Sequence, residues 1–169
     1  IHTNMDDAIP GSDFVLVQLR VGGNKARHQD ILLGQRHGVI GQETTGVGGF
    51  AKALRTIPVL EQIVQKIKQH APNAWLIDFT NPVSIITQYL IDNHNDLKWI
   101  GLCNYPYNLL MSIKDILKVD DEKRLDIDYV GLNHLSFVKG VKLDGEDVFE
   151  KVLEDYLEID KMANLPAED

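Results

Sequence analysis

The chain has little cysteine, no long apolar run and a shortage of positive charge. Its 169 residues include one cysteine, Cys103, so there is no internal disulfide framework, and a reducing, cytoplasmic setting is expected. No uncharged stretch reaches the roughly 20 residues that a membrane-spanning helix needs. Lysine and arginine number 17 against 25 acidic residues, a formal net charge of −8. That balance argues against nucleic acid as a partner, because displacing counterions from phosphates needs a basic face. It argues equally against an anionic membrane surface. Internal repeats and low-complexity tracts are missing too. The first residue is Ile1, not Met, which leaves room for a removed segment or a longer parent.

What remains is an ordinary globular mixture, 44% hydrophobic and 25% charged, with the length of one domain. Short apolar runs alternate with longer amphipathic stretches. Phe14 to Leu19, Ala74 to Phe79 and Lys98 to Leu102 read as strands. Their near-continuous apolar character suits burial on both faces, as in a parallel sheet. Between them, Phe50, Ala53, Leu54, Ile57, Leu60, Val64 and Ile67 recur at three and four residues and mark a helix. Pro58 inside that stripe predicts a kink or restart. Ile85, Ile86, Tyr89 and Leu90 mark a second helix, and Leu109, Leu110, Ile113, Ile116 and Leu117 a third. The strand–helix alternation predicts an α/β fold with a parallel sheet. From about Leu125 the pattern turns to strands, with a turn at Asp144-Gly145. Residues 146–169 read as an acidic helix with a ragged tail. Its apolar face, Val148, Phe149, Val152, Leu153, Tyr156 and Leu157, has no evident partner in the chain.

In open α/β sheets, ligands gather beyond the C-terminal strand ends. Residues 20–23, Thr80-Asn81-Pro82 and Cys103-Asn104 occupy such positions, and His134 closes Gly131-Leu-Asn-His134. Gly46-Val-Gly-Gly49 opens the longest helix, where amides favour anions, although it fits neither standard nucleotide loop. Cys103 and His134 could act as a thiolate–imidazole metal pair or as a nucleophile and base. Each also has a bland reading, as a small buried hydrophobe or a hydrogen-bonded structural histidine. Glu43 reads as a loop acid. Arg20, Arg27, Arg36 and Arg55 are surface residues by default, unless a crevice turns one toward phosphate.

Taken together, these segments resemble glycoside hydrolase family 4, the NAD- and metal-dependent phosphoglycosidases. The carrying stretches are residues 17–23 (Val-Gln-Leu-Arg-Val-Gly-Gly), 37–46 (His-Gly-Val-Ile-Gly-Gln-Glu-Thr-Thr-Gly) and 53–58 (Ala-Leu-Arg-Thr-Ile-Pro). Phe79-Thr-Asn-Pro82, Gly101-Leu-Cys-Asn104 and Gly131-Leu-Asn-His134 complete the set. Six motifs in order are far more specific than any one. The Thr80-Asn81-Pro82-Val83 element is also similar to one in lactate and malate dehydrogenases.

The resemblance implies a Rossmann-like parallel sheet, incomplete because the first Gly-rich strand-loop would precede Ile1. Residues 1–124 would be a partial NAD-binding domain. Residues 125–169 would begin an α+β C-terminal catalytic and dimerisation domain. The chain would then be an internal fragment with little or no activity alone, and the catalytic base would lie beyond residue 169. Cys103 and His134 match the metal ligands, normally holding Mn²⁺. Arg27 matches a substrate arginine near the sugar phosphate, and Glu43 a catalytic acid near the reacting hydroxyls. Asn81 matches an amide contacting sugar and nicotinamide, and Arg20 and Val21 match backbone passing the dinucleotide. Asn104, placed with the catalytic and substrate-binding residues, stands where α-specific relatives carry Asp. An amide cannot donate that proton, so the resemblance favours a 6-phospho-β-glucosidase. Asp78 stands where Asn is common, and Val47 where Pro is.

Family chemistry departs from the two-carboxylate mechanism. NAD⁺ takes hydride from C3, the ketone acidifies C2, and a metal-stabilised enediolate expels the C1 group. The expected cofactors are therefore NAD and a divalent metal. The expected partners are a phosphorylated disaccharide such as phosphorylated cellobiose and, at full length, further copies of the chain. The alternatives are a lactate/malate-type 2-hydroxy-acid dehydrogenase, a 6-phospho-α-glucosidase or an inactive fragment.

Overall fold

A computed structural model describes residues 1–163; the end of the 146–169 stretch, expected to finish in a ragged tail, lies outside the described residues from 164 on. The chain forms two compact units, Ile1–Cys103 and Asn104–Asp169.

The first unit runs α1 (Met5–Ala8), β1 (Phe14–Val17), α2 (Gly23–Arg36), α3 (Gly46–His70), β2 (Trp75–Asp78), α4 (Val83–Asn93) and β3 (Lys98–Gly101). The strands form a parallel sheet in the order β1-β2-β3, with Leu16 opposite Ile77 and Ile77 opposite Ile100. Side chains alternate across a strand, so the register fixes two faces. Val15, Val17, Leu76 and Trp99 pack on Leu60, Val64 and Ile67 of α3 and on Ile86 and Leu90 of α4. This is the core, and the fold is the expected α/β class.

The opposite face corrects the reading of strands buried on both sides. Phe14 is 60% exposed and Leu16 74%, and Trp75 and Ile100 are also exposed. Apolar residues at every position along a strand show that both faces suit burial. They do not show that the cover lies within this chain.

Helix α3 also departs from expectation. It is continuous over 25 residues with Pro58 inside it, so there is no restart. The apolar stripe holds only in the second half, where Leu60, Ile63, Val64 and Ile67 are buried. In the first half Phe50 and Leu54 are exposed, and the buried positions are Gly48, Gly49, Lys52, Ala53 and Thr56. That half packs against a loop, and small residues admit a backbone where large apolar ones would exclude it.

The second unit runs α5 (Tyr105–Ile116), a short 3₁₀ turn, β4 (Leu125–Leu132), β5 (Leu135–Leu143), β6 (Glu146–Asp147) and α6 (Phe149–Ala163). The three strands are antiparallel in sequence order. Asp144 (φ 51°) and Gly145 (φ 88°) turn β5 into β6, the left-handed pair that a two-residue hairpin favours. Two expectations about the final stretch need correcting. Glu146 and Asp147 pair with β5 rather than starting the helix. The apolar face of α6 also has a partner in part, because Val152 is buried against Ile113 and Val141, with Val148 and Phe149 beside it. Leu153, Tyr156 and Leu157 remain exposed.

Candidate functional site

The C-terminal ends of the three parallel strands are tied together. The Phe79 amide donates to the Val17 carbonyl at 2.8 Å, and the Leu102 amide to the Asp78 carbonyl at 2.9 Å. Thr80 adds a crosslink, its Oγ1 accepting from the Leu19 amide at 3.0 Å. Beyond this seam lie Arg20 and Val21 after β1, Asn81 after β2 and Cys103 after β3. The Asn81–Pro82 peptide is cis. Asp78, at the end of β2, is fully buried. Burial pushes its carboxyl up to about 6, with the Thr80 hydrogen bonds opposing. Its Oδ1 accepts from the Thr80 amide, while its Oδ2 is buried without a partner.

The loop between α2 and α3 supplies the charged centre. It crosses α2 and the start of α3 at glycines. A Cβ at Gly41 would strike the Ile31 carbonyl, one at Gly48 the Gln42 carbonyl and one at Gly49 the Thr44 carbonyl. These close approaches fix the backbone on both sides of Glu43. Its carboxylate then meets three cations. Arg20 Nη1 donates to Oε1 at 2.8 Å, Lys52 Nζ also donates to Oε1, and Arg27 Nε lies 3.5 Å from Oε2. Burial tends to raise the Glu43 pKa, but Lys52, Arg20 and Arg27 outweigh it and hold the carboxyl below its usual range. Arg20, Arg27 and Glu43, three of the residues singled out from the sequence, are thus brought together.

Two further charged residues belong here, one that the sequence reading passed over and one that it left on the surface by default. Lys52 is one. Arg55, expected on the surface, is the other: it grips Asp30 through both oxygens at 3.1 and 2.6 Å and donates from Nε to the Val21 carbonyl at 2.9 Å. The strand-end backbone at Val21 is therefore anchored to α2 and α3. One sequence signal could have revealed Lys52. It falls on the three-and-four repeat of small residues Gly48, Gly49, Ala53 and Thr56, a packed helix face with a charge in it.

The remaining candidates are placed as follows. Cys103 is half-buried at the end of the first unit. Asn104 is the N-cap of α5 in the second unit. His134 sits in the two-residue turn between β4 and β5 with φ 60°, a left-handed conformation in which histidine is enriched among side chains. Its ring lies 5.5 Å from that of Tyr105, centroid to centroid. No three His, Cys, Asp or Glu side chains converge as a metal cluster among the described residues.

Parallel strands alternating with helices, with polar residues beyond the strand ends, define a Rossmann-type α/β fold. Residues 1–119 match the Family 4 glycosyl hydrolases, and the chain belongs to that family. It is 43% identical over 148 residues to a 6-phospho-beta-glucosidase of Escherichia coli, covering 88% of this chain and 33% of that protein. Among solved structures it is similar to the 6-phospho-beta-glucosidase of Thermotoga maritima with manganese, NAD⁺ and glucose-6-phosphate. The TM-score there is 0.81 at 39% identity, over 99% of this chain and 39% of that one. It is also similar to a 6-phospho-alpha-glucosidase from gut microorganisms in complex with NAD and Mn²⁺, with a TM-score of 0.84 at 32% identity over 93% of this chain and 36% of that one. The chain spans 33–40% of the length of the curated 6-phospho-beta-glucosidases it matches.

Proposed function

We propose that this chain is the cofactor-side portion of a 6-phospho-β-glucosidase that works by redox elimination, with NAD and a divalent cation. The observation that carries the reading is the Glu43 carboxylate set among Arg20, Arg27 and Lys52. That cluster joins one acid to an excess of positive charge, which suits a phosphorylated sugar. Family membership and the named relatives support it. Residues 1–124 belong in this reading to the NAD-binding domain and residues 125–169 to the start of the catalytic one.

The roles follow from the groups present. Arg27, with its exposed guanidinium, holds the 6-phosphate through two parallel hydrogen bonds. Arg20 and Val21 border the dinucleotide, Val21 held in place by Arg55. Asn81 orients hydroxyls without adding charge. Glu43, kept ionised by its neighbours, accepts a hydrogen bond from a reacting hydroxyl. Cys103 and His134 would hold the cation, preferably Mn²⁺. A thiolate and an imidazole suit a borderline ion, and two protein donors leave positions for sugar oxygens. When bound, the dinucleotide supplies reversible hydride acceptance and the cation supplies Lewis acidity. Asn104 has no proton to give a leaving group, which supports the β rather than the α anomer. Phosphorylated disaccharide is the substrate class, and the lone free cysteine suits the cytoplasm.

The test is hydrolysis of chromogenic 6-phospho-β- and 6-phospho-α-glucosides by the full-length protein, with and without NAD⁺ and Mn²⁺. Turnover of the β substrate only when both are present is expected. Preference for the α substrate would overturn the anomeric assignment, and turnover without either cofactor would overturn the mechanism.

A further inference from the structure

Lys52 has the least accessible charged side chain of the cluster. Its side chain is 2% exposed, against 39% for Arg20 and 45% for Arg27. A buried ammonium is costly unless it is paired, and the ion pair it makes is with Glu43 Oε1. Lys52 lies one helical turn beyond Gly48 and Gly49. Those glycines seat the carbonyls of Gln42 and Thr44, the residues flanking Glu43. Backbone and side chain of Glu43 are therefore fixed by the same face of α3.

The three cations divide by access. The two arginines pair with Glu43 but keep 39% and 45% of their side chains open to solvent, where an anionic ligand can reach them. Lys52 is enclosed and stays with the carboxylate. We propose that Lys52 is a positioning residue: it pins one Glu43 oxygen and keeps the carboxylate charged while the arginines engage the ligand. This inference rests on the catalytic reading of Glu43 for its functional consequence but not for the pairing itself. The charged groups facing Glu43 are Arg20 from the β1 end, Arg27 from α2 and Lys52 from α3.

The experiment compares Lys52→Met, Lys52→Arg, Glu43→Gln and the Lys52→Met/Glu43→Gln double variant in the full-length protein. The first readout is the NMR titration of the Glu43 carboxyl carbon in protein free of metal and dinucleotide. Lys52→Met is expected to move the midpoint up by about one pH unit or more, tenfold in proton affinity. Lys52→Arg should restore most of it. An unmoved midpoint overturns the pairing, whatever the melting temperature does. The second readout is turnover of a 6-phospho-β-glucoside. Lys52→Met is expected to lower kcat roughly a hundred-fold, the cost of a misplaced group, with KM little changed. It should add nothing to Glu43→Gln. Additive losses in the double variant overturn action through Glu43. Wild-type turnover by Glu43→Gln would instead sink the catalytic reading, while the titration still decides the pairing. If Lys52→Met does not fold, Lys52→Gln serves in its place with the same expectations.

Discussion

Asp78 has a strongly raised carboxyl pKa in the first unit. Its pKa is about 6 in the folded protein against an ordinary 3.8. The folded state therefore gives up stability as pH rises from about 4 through 6, because ionising the buried carboxyl costs more than ionising it in the unfolded chain. Asp78→Asn is expected to raise stability above pH 7 by up to about 3 kcal/mol and to flatten its pH dependence between 4 and 7. Urea unfolding at pH 5 and pH 8 measures this, and an unchanged difference between the two pH values would contradict the assignment. Arg27→Ala should weaken binding of a phosphorylated glycoside while leaving a non-phosphorylated one little affected. Equal losses toward both would count against a phosphate role. Single residues were unevenly legible in the sequence. Arg20 and Glu43 could be singled out by motif, and Arg27 through the family resemblance. Lys52 could not, because a charge on a helix is normally solvated and its pairing depends on the α2–α3 loop that carries Glu43; Arg55, though inside the 53–58 stretch, read as a surface residue because its partners Asp30 and Val21 lie 25 and 34 positions away.

At the scale of elements, the short connections govern the site. Gly48→Ala and Gly49→Ala would each press a methyl group onto a carbonyl of the α2–α3 loop. Overpacking of this kind costs about 1–3 kcal/mol, and displacement of Glu43 should lower activity beyond what the stability loss explains. Thermal melts paired with kinetics separate the two effects. A second element-level contact joins α3 to α4. Glu61 accepts from Tyr89 at 2.5 Å and lies 2.7 Å from His94 Nε2. The Tyr89 hydrogen bond, with help from Gln65 and His94, depresses the Glu61 carboxyl to about 2. A depressed carboxyl stabilises the fold above its ordinary pKa and loses that contribution as pH falls from about 4.5 toward 2. Tyr89→Phe should therefore shrink the acid-induced loss of stability in that range. Strand positions and helix periods were readable because periodicity reports burial. The unbroken α3 was not, since Pro58 breaks a local rule that the buried stripe of Leu60, Val64 and Ile67 overrides.

At the scale of the whole molecule, the parallel sheet is covered on one face only among the described residues. Phe14, Leu16, Trp75 and Ile100 lie open on the other, although their sequence pattern reads as fully buried. The pattern records what the strands suit, and the described residues supply half of it. Acid, arginines and strand ends lie on one unit, and Asn104 and His134 on the other, so turnover is expected of the full-length protein. In the proposed reaction the glycosidic bond breaks through transient oxidation and loss of the C2 proton. The most direct test is hydrolysis of a 6-phospho-β-glucoside in D₂O by the full-length protein with NAD⁺ and Mn²⁺. Deuterium at C2 of the released glucose 6-phosphate and no net accumulation of NADH are expected. Product with protium at C2, formed equally well without dinucleotide or cation, would contradict this reaction.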